Sequence, residues 1–238
     1  MAEMKRLSIL TLVFAILFLI FVIVLVFLRV PFQLYPLMSW QDVIDILAPL
    51  VLIPIYFLLY RIDLKIPFNF SGLILFIVFA TFWVAGHGMH LSANSINNLL
   101  AQSGMDTGNI YKLTYFLDEY LSHYIWHIGI VGLSALLVYR QWENPFIEGK
   151  AMLLPIVLGG LIYGFSYFLI IMEGNTAPLG VTFSIIVTLF ILIWARKGLS
   201  QQPVVTFFLV SYALSTILFL IWGVMWGGLP PIMDVIKI

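Results

Sequence analysis

A helix that crosses a lipid bilayer takes about 20 mostly apolar residues, and this chain offers seven such stretches. They run at about 7–28, 43–60, 71–93, 115–139, 152–172, 179–195 and 204–226. The first contains nothing more polar than Ser8 and Thr11. Lys5 and Arg6 ahead of it would also suit a signal peptide. The apolar run is too long for that, and Arg29-Val30-Pro31 follows where a small-residue cleavage site would stand, so the segment reads as a retained helix. Pro49 and Pro54 fall inside the second span and are expected to kink it. The third is entered through Pro67 and Asn69. Connections between spans are short and leave no room for a soluble domain. The expected fold is all-α: one polytopic transmembrane domain over residues 1–238.

Composition closes off the other classes. Charged residues make up 9% of the chain, against roughly 25% in a soluble domain, too few to clothe a water-soluble enzyme of this size. Eleven basic and eleven acidic residues with no basic stretch exclude nucleic acid as a partner. Cysteine is absent, which removes disulfides, thiolate metal sites and cysteine nucleophiles. No sequence repeat links two halves, as an inverted-repeat transporter would require. Membrane lipid is the expected partner. A chain that is nearly all membrane is also expected to pack against other membrane subunits.

Orientation follows from the excess of Lys and Arg on the cytoplasmic side. With the N-terminus inside, the inner segments hold Lys5, Arg6, Arg61, Lys65, Arg140, Lys150, Arg196 and Lys197, and the outer ones hold Arg29, Lys112 and Lys237. Trp40, Trp222 and Trp226 fall near the outer boundary, and Trp142 and Trp194 near the inner one. The expectation is N-terminus in and C-terminus out, in the plasma membrane.

Two spans are not bland. The third reads Trp83-Val-Ala-Gly-His87-Gly-Met-His90-Leu-Ser-Ala-Asn94, and the fourth Leu117-Asp118-Glu119-Tyr-Leu-Ser122-His123-Tyr-Ile-Trp-His127. All four histidines of the chain are here. At about 100° per residue, His87, His90 and Asn94 lie within about 60° of one another. Glu119, His123 and His127 cover about 80°, with Asp118 about 100° from Glu119 on a face shared with Ser122. Successive helices joined by a modest loop pack antiparallel, so the two polar faces can meet in the outer half of the membrane. Asp42 and Asp45, at the mouth of the second span, and Glu173, at the end of the fifth, belong to the same end. Asp42 and Asp45 alternatively complement the N-terminus of their helix and nothing more. Ionisable groups inside a membrane are costly and mark functional sites.

Imidazole and carboxylate without thiolate suit Zn, Fe, Cu or Mn. The expected metal ligands are His87, His90, His123 and His127, and the divalent ion is expected to be zinc. Glu119 and Asp118 are the expected acid–base groups. Zinc-bound hydroxide would attack a lipid amide or ester, with Glu119 or Asp118 shuttling the proton. A second reading is redox: haem held axially between the two helices, with Gly86 and Gly88 admitting the macrocycle, or a copper or iron centre. A third is a proton or small-solute carrier. Beside these stands the plain alternative that the polar groups only hydrogen-bond helices together. Ser122, Asn94 and Tyr124 read as packing or supporting groups. Gly160-x-x-x-Gly164 reads as a close helix-packing pattern, and Asn97, Asn98 and the stretch from Gln102 to Asn109 as an exposed outer loop or cap.

The seven spans, the His123-x-x-x-His127 pair, Leu117-Asp118-Glu119 and an intramembrane Ser resemble the alkaline ceramidase and progestin/adipoQ receptor superfamily of seven-helix zinc hydrolases. That resemblance implies an intramembrane zinc site and hydrolysis of a lipid amide. The family takes its paired histidines from the last helix. Here they are on the fourth, and the seventh has none.

Overall fold

A computed structural model describes residues 2–28, 30–35, 37–61, 70–195 and 198–235. Pro67 and Asn69, and the charged residues Arg29, Lys65, Arg196, Lys197 and Lys237, lie outside the described residues. The described chain is all-helical. Seven helices are long and apolar enough to cross a membrane: α1 (Ala2–Phe27), α2 (Trp40–Arg61), α3 (Phe70–Gln102), α4 (Asn109–Glu143), α5 (Leu153–Glu173), α6 (Ala177–Ala195) and α7 (Pro203–Trp226). A one-turn helix, α8 (Ile232–Val235), follows.

Local signals set the helix ends. Ser39 and Asp42 form a reciprocal cap at the start of α2. The Asp42 carboxylate accepts from Ser39 N at 2.6 Å and from Ser39 Oγ at 2.9 Å, and Ser39 Oγ accepts from Asp42 N at 3.2 Å. Asp42 thus does what the sequence offered as its plain role. The helix then continues through both Pro49 and Pro54. Proline stands in the first turn of α6 and of α7, where its missing N–H costs nothing. Gly227 closes α7 in the left-handed conformation, at φ 65°.

Two boundaries depart from expectation. α3 runs on to Gln102 and α4 begins at Asn109, so the outer connection shrinks to a short exposed turn. Asn97 and Asn98, expected in a loop, are helical. Their polar side chains find partners that let the helix continue. Thr114 Oγ1 donates to Asn97 Oδ1 at 2.7 Å, and Asn98 Nδ2 donates to Asn94 Oδ1 at 3.0 Å. Ser92, Ser95 and Ser103 each donate to the carbonyl four residues back. At 33 residues, α3 is about 50 Å long against a hydrocarbon core of about 30 Å, so its polar end stands clear of the apolar layer.

α5 lies between α1 and α7, and α3 packs along α4. Glycines set both approaches. A Cβ at Gly164 would stand 2.4 Å from Ser211 O, and one at Gly160 would stand 2.7 Å from Val210 Cβ, so the expected small-residue pattern is the α5–α7 seam. Ser215 Oγ donates across it to Gly164 O at 2.8 Å. Gly86 and Gly129 do the same for α3 and α4. Their Cβ atoms would fall 2.4 Å from Trp126 N and 2.6 Å from Trp83 N. The centre of the bundle is aromatic: Phe14, Phe18, Tyr56, Trp83, Tyr163, Phe207 and Tyr212 are all buried. Tyr56 Oη joins Tyr163 Oη at 2.9 Å and Ser134 Oγ at 3.1 Å, so these three buried hydroxyls satisfy one another. Large apolar side chains such as Leu50, Ile186, Leu220 and Val224 cover the outside, the surface that a bilayer solvates.

Candidate functional site

The polar end of the bundle is assembled from α2, α3, α4 and the turn between α5 and α6. α3 and α4 are brought backbone to backbone by Gly86, against which Ser122 O and Trp126 N press. That closeness seats the indole of Trp126 among the four imidazoles. Its ring centroid is 4.6 Å from that of His87, 4.9 Å from His127, 6.1 Å from His123 and 6.3 Å from His90. The four histidines do converge on one region. Each is tied to a different partner within it.

His87 is buried and faces α2. Its Nε2 lies 2.8 Å from the Asp45 carbonyl oxygen and 2.9 Å from Asp45 Oδ1. Both oxygens accept, so Nε2 carries the hydrogen. Asp45 therefore does more than complement its helix N-terminus. His90 turns toward α4, where its Nδ1 stands 2.8 Å from Asp118 Oδ1. The two atoms are close but are not aligned as a directed hydrogen bond, and neither has one to any other described residue. The His90 ring also lies 4.6 Å from that of His123. His123 Nδ1 donates to Glu119 O at 3.1 Å, because a carbonyl can only accept. Its Nε2 is then an unprotonated acceptor, buried and without a partner. His127 Nδ1 shares a 2.6 Å hydrogen bond with Thr176 Oγ1, and its Nε2 is likewise buried and unpartnered.

The fourth helix carries a local irregularity at this point. Residues Leu117–Ser122 are π-helical, with hydrogen bonds reaching one residue further than in an α-helix. The wider turn rotates Asp118 inward. Asp118 is 2% exposed, whereas Glu119 is half-buried. Regular helical spacing put these two the other way round, with Glu119 on the histidine face. Asp118 is the carboxylate that reaches an imidazole, and Glu119 meets the cluster through its carbonyl. Ser122 Oγ donates to Asp118 O and is buried, the supporting role expected of it.

The expected set of four ligands around one ion is not formed. Among the described residues, no group of three His, Asp or Glu is placed to hold a metal ion. The reason is visible in the partners: His87 is turned to α2, His90 to Asp118, and His123 and His127 stack nearly parallel with centroids 6.0 Å apart. The zinc implied by the sequence resemblance does not fit this arrangement.

Three further residues take part that the sequence did not single out. Thr176 caps the start of α6 and bonds His127 across 49 positions of chain. Gly174 ends α5 directly over the paired rings, where a Cβ would lie 2.8 Å from His127 Cε1 and 3.1 Å from His123 Cγ. Trp126 is three residues beyond His123 and adjacent to His127, and that spacing was the one available clue. Its Nε1–H is buried without a partner. Among the described residues the centre thus holds the unpartnered Trp126 Nε1–H, three unpartnered ring nitrogens (His87 Nδ1, His123 Nε2 and His127 Nε2) and a close His–Asp pair. His90 is the most accessible of the rings, its side chain 17% exposed against 4% for His87.

Over 144 residues the chain is 27% identical to ceroid-lipofuscinosis neuronal protein 6 of Homo sapiens, covering 58% of this chain and 44% of that protein. The chain therefore matches less than half the length of that relative. No family model matches the chain, so the resemblance to the ceramidase and receptor superfamily rests on Leu117-Asp118-Glu119, His123 and His127 and the helix count. No solved structure matches it.

Proposed function

We propose that this integral membrane protein is a lipid-acting hydrolase whose acid–base centre is the His90–Asp118 pair. The observation that carries the reading is the 2.8 Å approach of Asp118 Oδ1 to His90 Nδ1 inside a membrane helix bundle. A carboxylate at that distance favours the imidazole with its hydrogen on Nδ1, which leaves Nε2 as the base. Water is the nucleophile. Its oxygen bonds to the acyl carbon of a lipid ester or amide, its proton passes to His90 Nε2, and His90 returns that proton to the departing oxygen or nitrogen. Asp118 stabilises the imidazolium in between. The Trp126 Nε1–H is the donor available to the oxyanion. The proposal includes the orientation drawn from the basic residues, with the site at the non-cytoplasmic end.

The test is turnover of a panel of fluorescent acyl esters and acyl amides by the purified protein in lipid nanodiscs. His90→Gln and Asp118→Asn are each expected to lower kcat by about 10²- to 10⁴-fold, the usual contribution of a positioned base, with KM little changed. Hydrolysis of none of the panel would sink the reading. Metal analysis gives a separate check. One zinc per chain, lost in His123→Ala and His127→Ala, would overturn the metal-free centre.

A further inference from the structure

A cleft of about 560 Å³ opens where α3 emerges, between its last turns and the segment that joins α1 to α2. Small-molecule sites occupy about 300–1,000 Å³. One wall is a ladder of carboxamides, Asn94, Asn98 and Gln102, spaced one turn apart along α3, and Gln41 faces them from the other side. The opposing wall is held in shape by its own backbone. Phe32 N donates to Met38 O at 2.8 Å, Trp40 N to Val30 O at 2.9 Å and Gln41 N to Leu28 O at 2.9 Å. Asp42 also lines the cleft, its carboxylate engaged by Ser39.

The chemistry of this lining is selective. None of the described residues that line the cleft is basic and Asp42 adds a carboxylate, so these residues offer an anion such as a phosphate head group no charged partner. Carboxamides donate and accept at the same time, and hydroxyl groups do the same. A row of amides therefore matches a molecule carrying several hydroxyls. Leu37 and Leu99 add an apolar face for the C–H side of such a molecule. The Asn98 Nδ2 to Asn94 Oδ1 bond sets the two amides in register and leaves the Asn98 oxygen and the Asn94 nitrogen for a ligand.

We infer that this cleft binds a neutral polyhydroxylated group of the glycosyl type. Its position gives the binding a purpose. Asn94 is one turn beyond His90 on α3, and Asp42 is one turn ahead of Asp45 on α2. The cleft begins one helical turn from the histidine centre on both α2 and α3 and is taken as the approach to that centre. That role as an approach rests on the acid–base reading of His90 and Asp118; the recognition of hydroxyls does not. A glycosyl group seated there holds its lipid with the acyl linkage directed down the bundle toward His90.

Calorimetric titration of the full chain in phosphatidylcholine nanodiscs tests the inference, using methyl β-glucoside as the soluble probe. A second set of nanodiscs carries monoglucosyl diacylglycerol, and a third carries phosphatidylglycerol. Heat of binding is expected with a glucosyl probe and not with phosphatidylglycerol. Binding of the soluble glucoside assigns a free sugar, and binding of the lipid form alone assigns a glycolipid; either outcome supports the site. The double variant Asn98→Ala/Gln102→Ala changes two exposed side chains, so its fold is expected to persist with unchanged melting. Its affinity for the glucosyl probe is expected to fall about tenfold or more. Unchanged affinity in that variant, or equal binding of phosphatidylglycerol, overturns the inference. His90→Gln is expected to keep glucosyl binding while losing turnover. Turnover without glucosyl binding therefore defeats the cleft alone, and glucosyl binding without turnover defeats the hydrolase alone.

Discussion

At the scale of single residues, the site is organised by what each imidazole is tied to. The sequence placed four histidines on two facing helices, and the structure does gather them. Asp45 as the partner of His87 and Thr176 as the partner of His127 were out of reach, because both pairings bridge long stretches of chain and neither forms a motif. Thr176 carries a direct prediction. It is 0% exposed, and its hydroxyl is bonded to His127 Nδ1. Thr176→Val keeps the shape, removes the hydroxyl and leaves a buried ring nitrogen without a partner. The expected loss of stability is about 1–3 kcal/mol, read as a lower melting midpoint in thermal unfolding of the detergent-purified protein. An unchanged midpoint would show that the bond contributes nothing.

At the scale of elements, glycine decides where helices touch. Gly86 and Gly88 flank His87, and from their spacing they share one expected purpose, admission of a flat macrocycle. The structure separates them. A Cβ at Gly86 would meet backbone atoms of α4 at 2.4 and 2.6 Å, while one at Gly88 meets nothing within 4 Å. Gly86→Ala must push α3 from α4 and is expected to cost about 1–3 kcal/mol or more, the range for overpacking. Gly88→Ala is expected to leave stability unchanged or raise it by about 0.5–1 kcal/mol, through the lower backbone entropy of alanine. Equal melting of the two variants would contradict the seam. The π-helical segment is the other element-level decision. A fixed 100° step cannot anticipate the extra residue in that turn, and it therefore mistook which of Asp118 and Glu119 faces inward.

For the whole molecule, the absence of cysteine makes orientation simple to measure, since any introduced thiol is unique. Ser103 and Glu148 are both exposed, in the turn after α3 and in the connection between α4 and α5. With the N-terminus cytoplasmic, Ser103→Cys is expected to react with a membrane-impermeant maleimide in intact cells. Glu148→Cys is expected to react only after permeabilisation. The opposite pattern reverses the orientation and moves the histidine centre and the cleft to the cytoplasmic face.

By itself the sequence determined the class of fold. Runs of about 20 apolar residues can satisfy their backbone in lipid only as helices, so the number of spans and their approximate limits follow from composition along the chain. It also determined which end of the bundle is polar, since rise per residue fixes depth. Only the tertiary structure decided how that polar end is wired. Ring orientation depends on contacts between helices, on a 2.8 Å pairing of His90 with Asp118 and on a glycine that lets α3 meet α4. These are matters of azimuth and distance between segments, and a one-dimensional pattern carries neither.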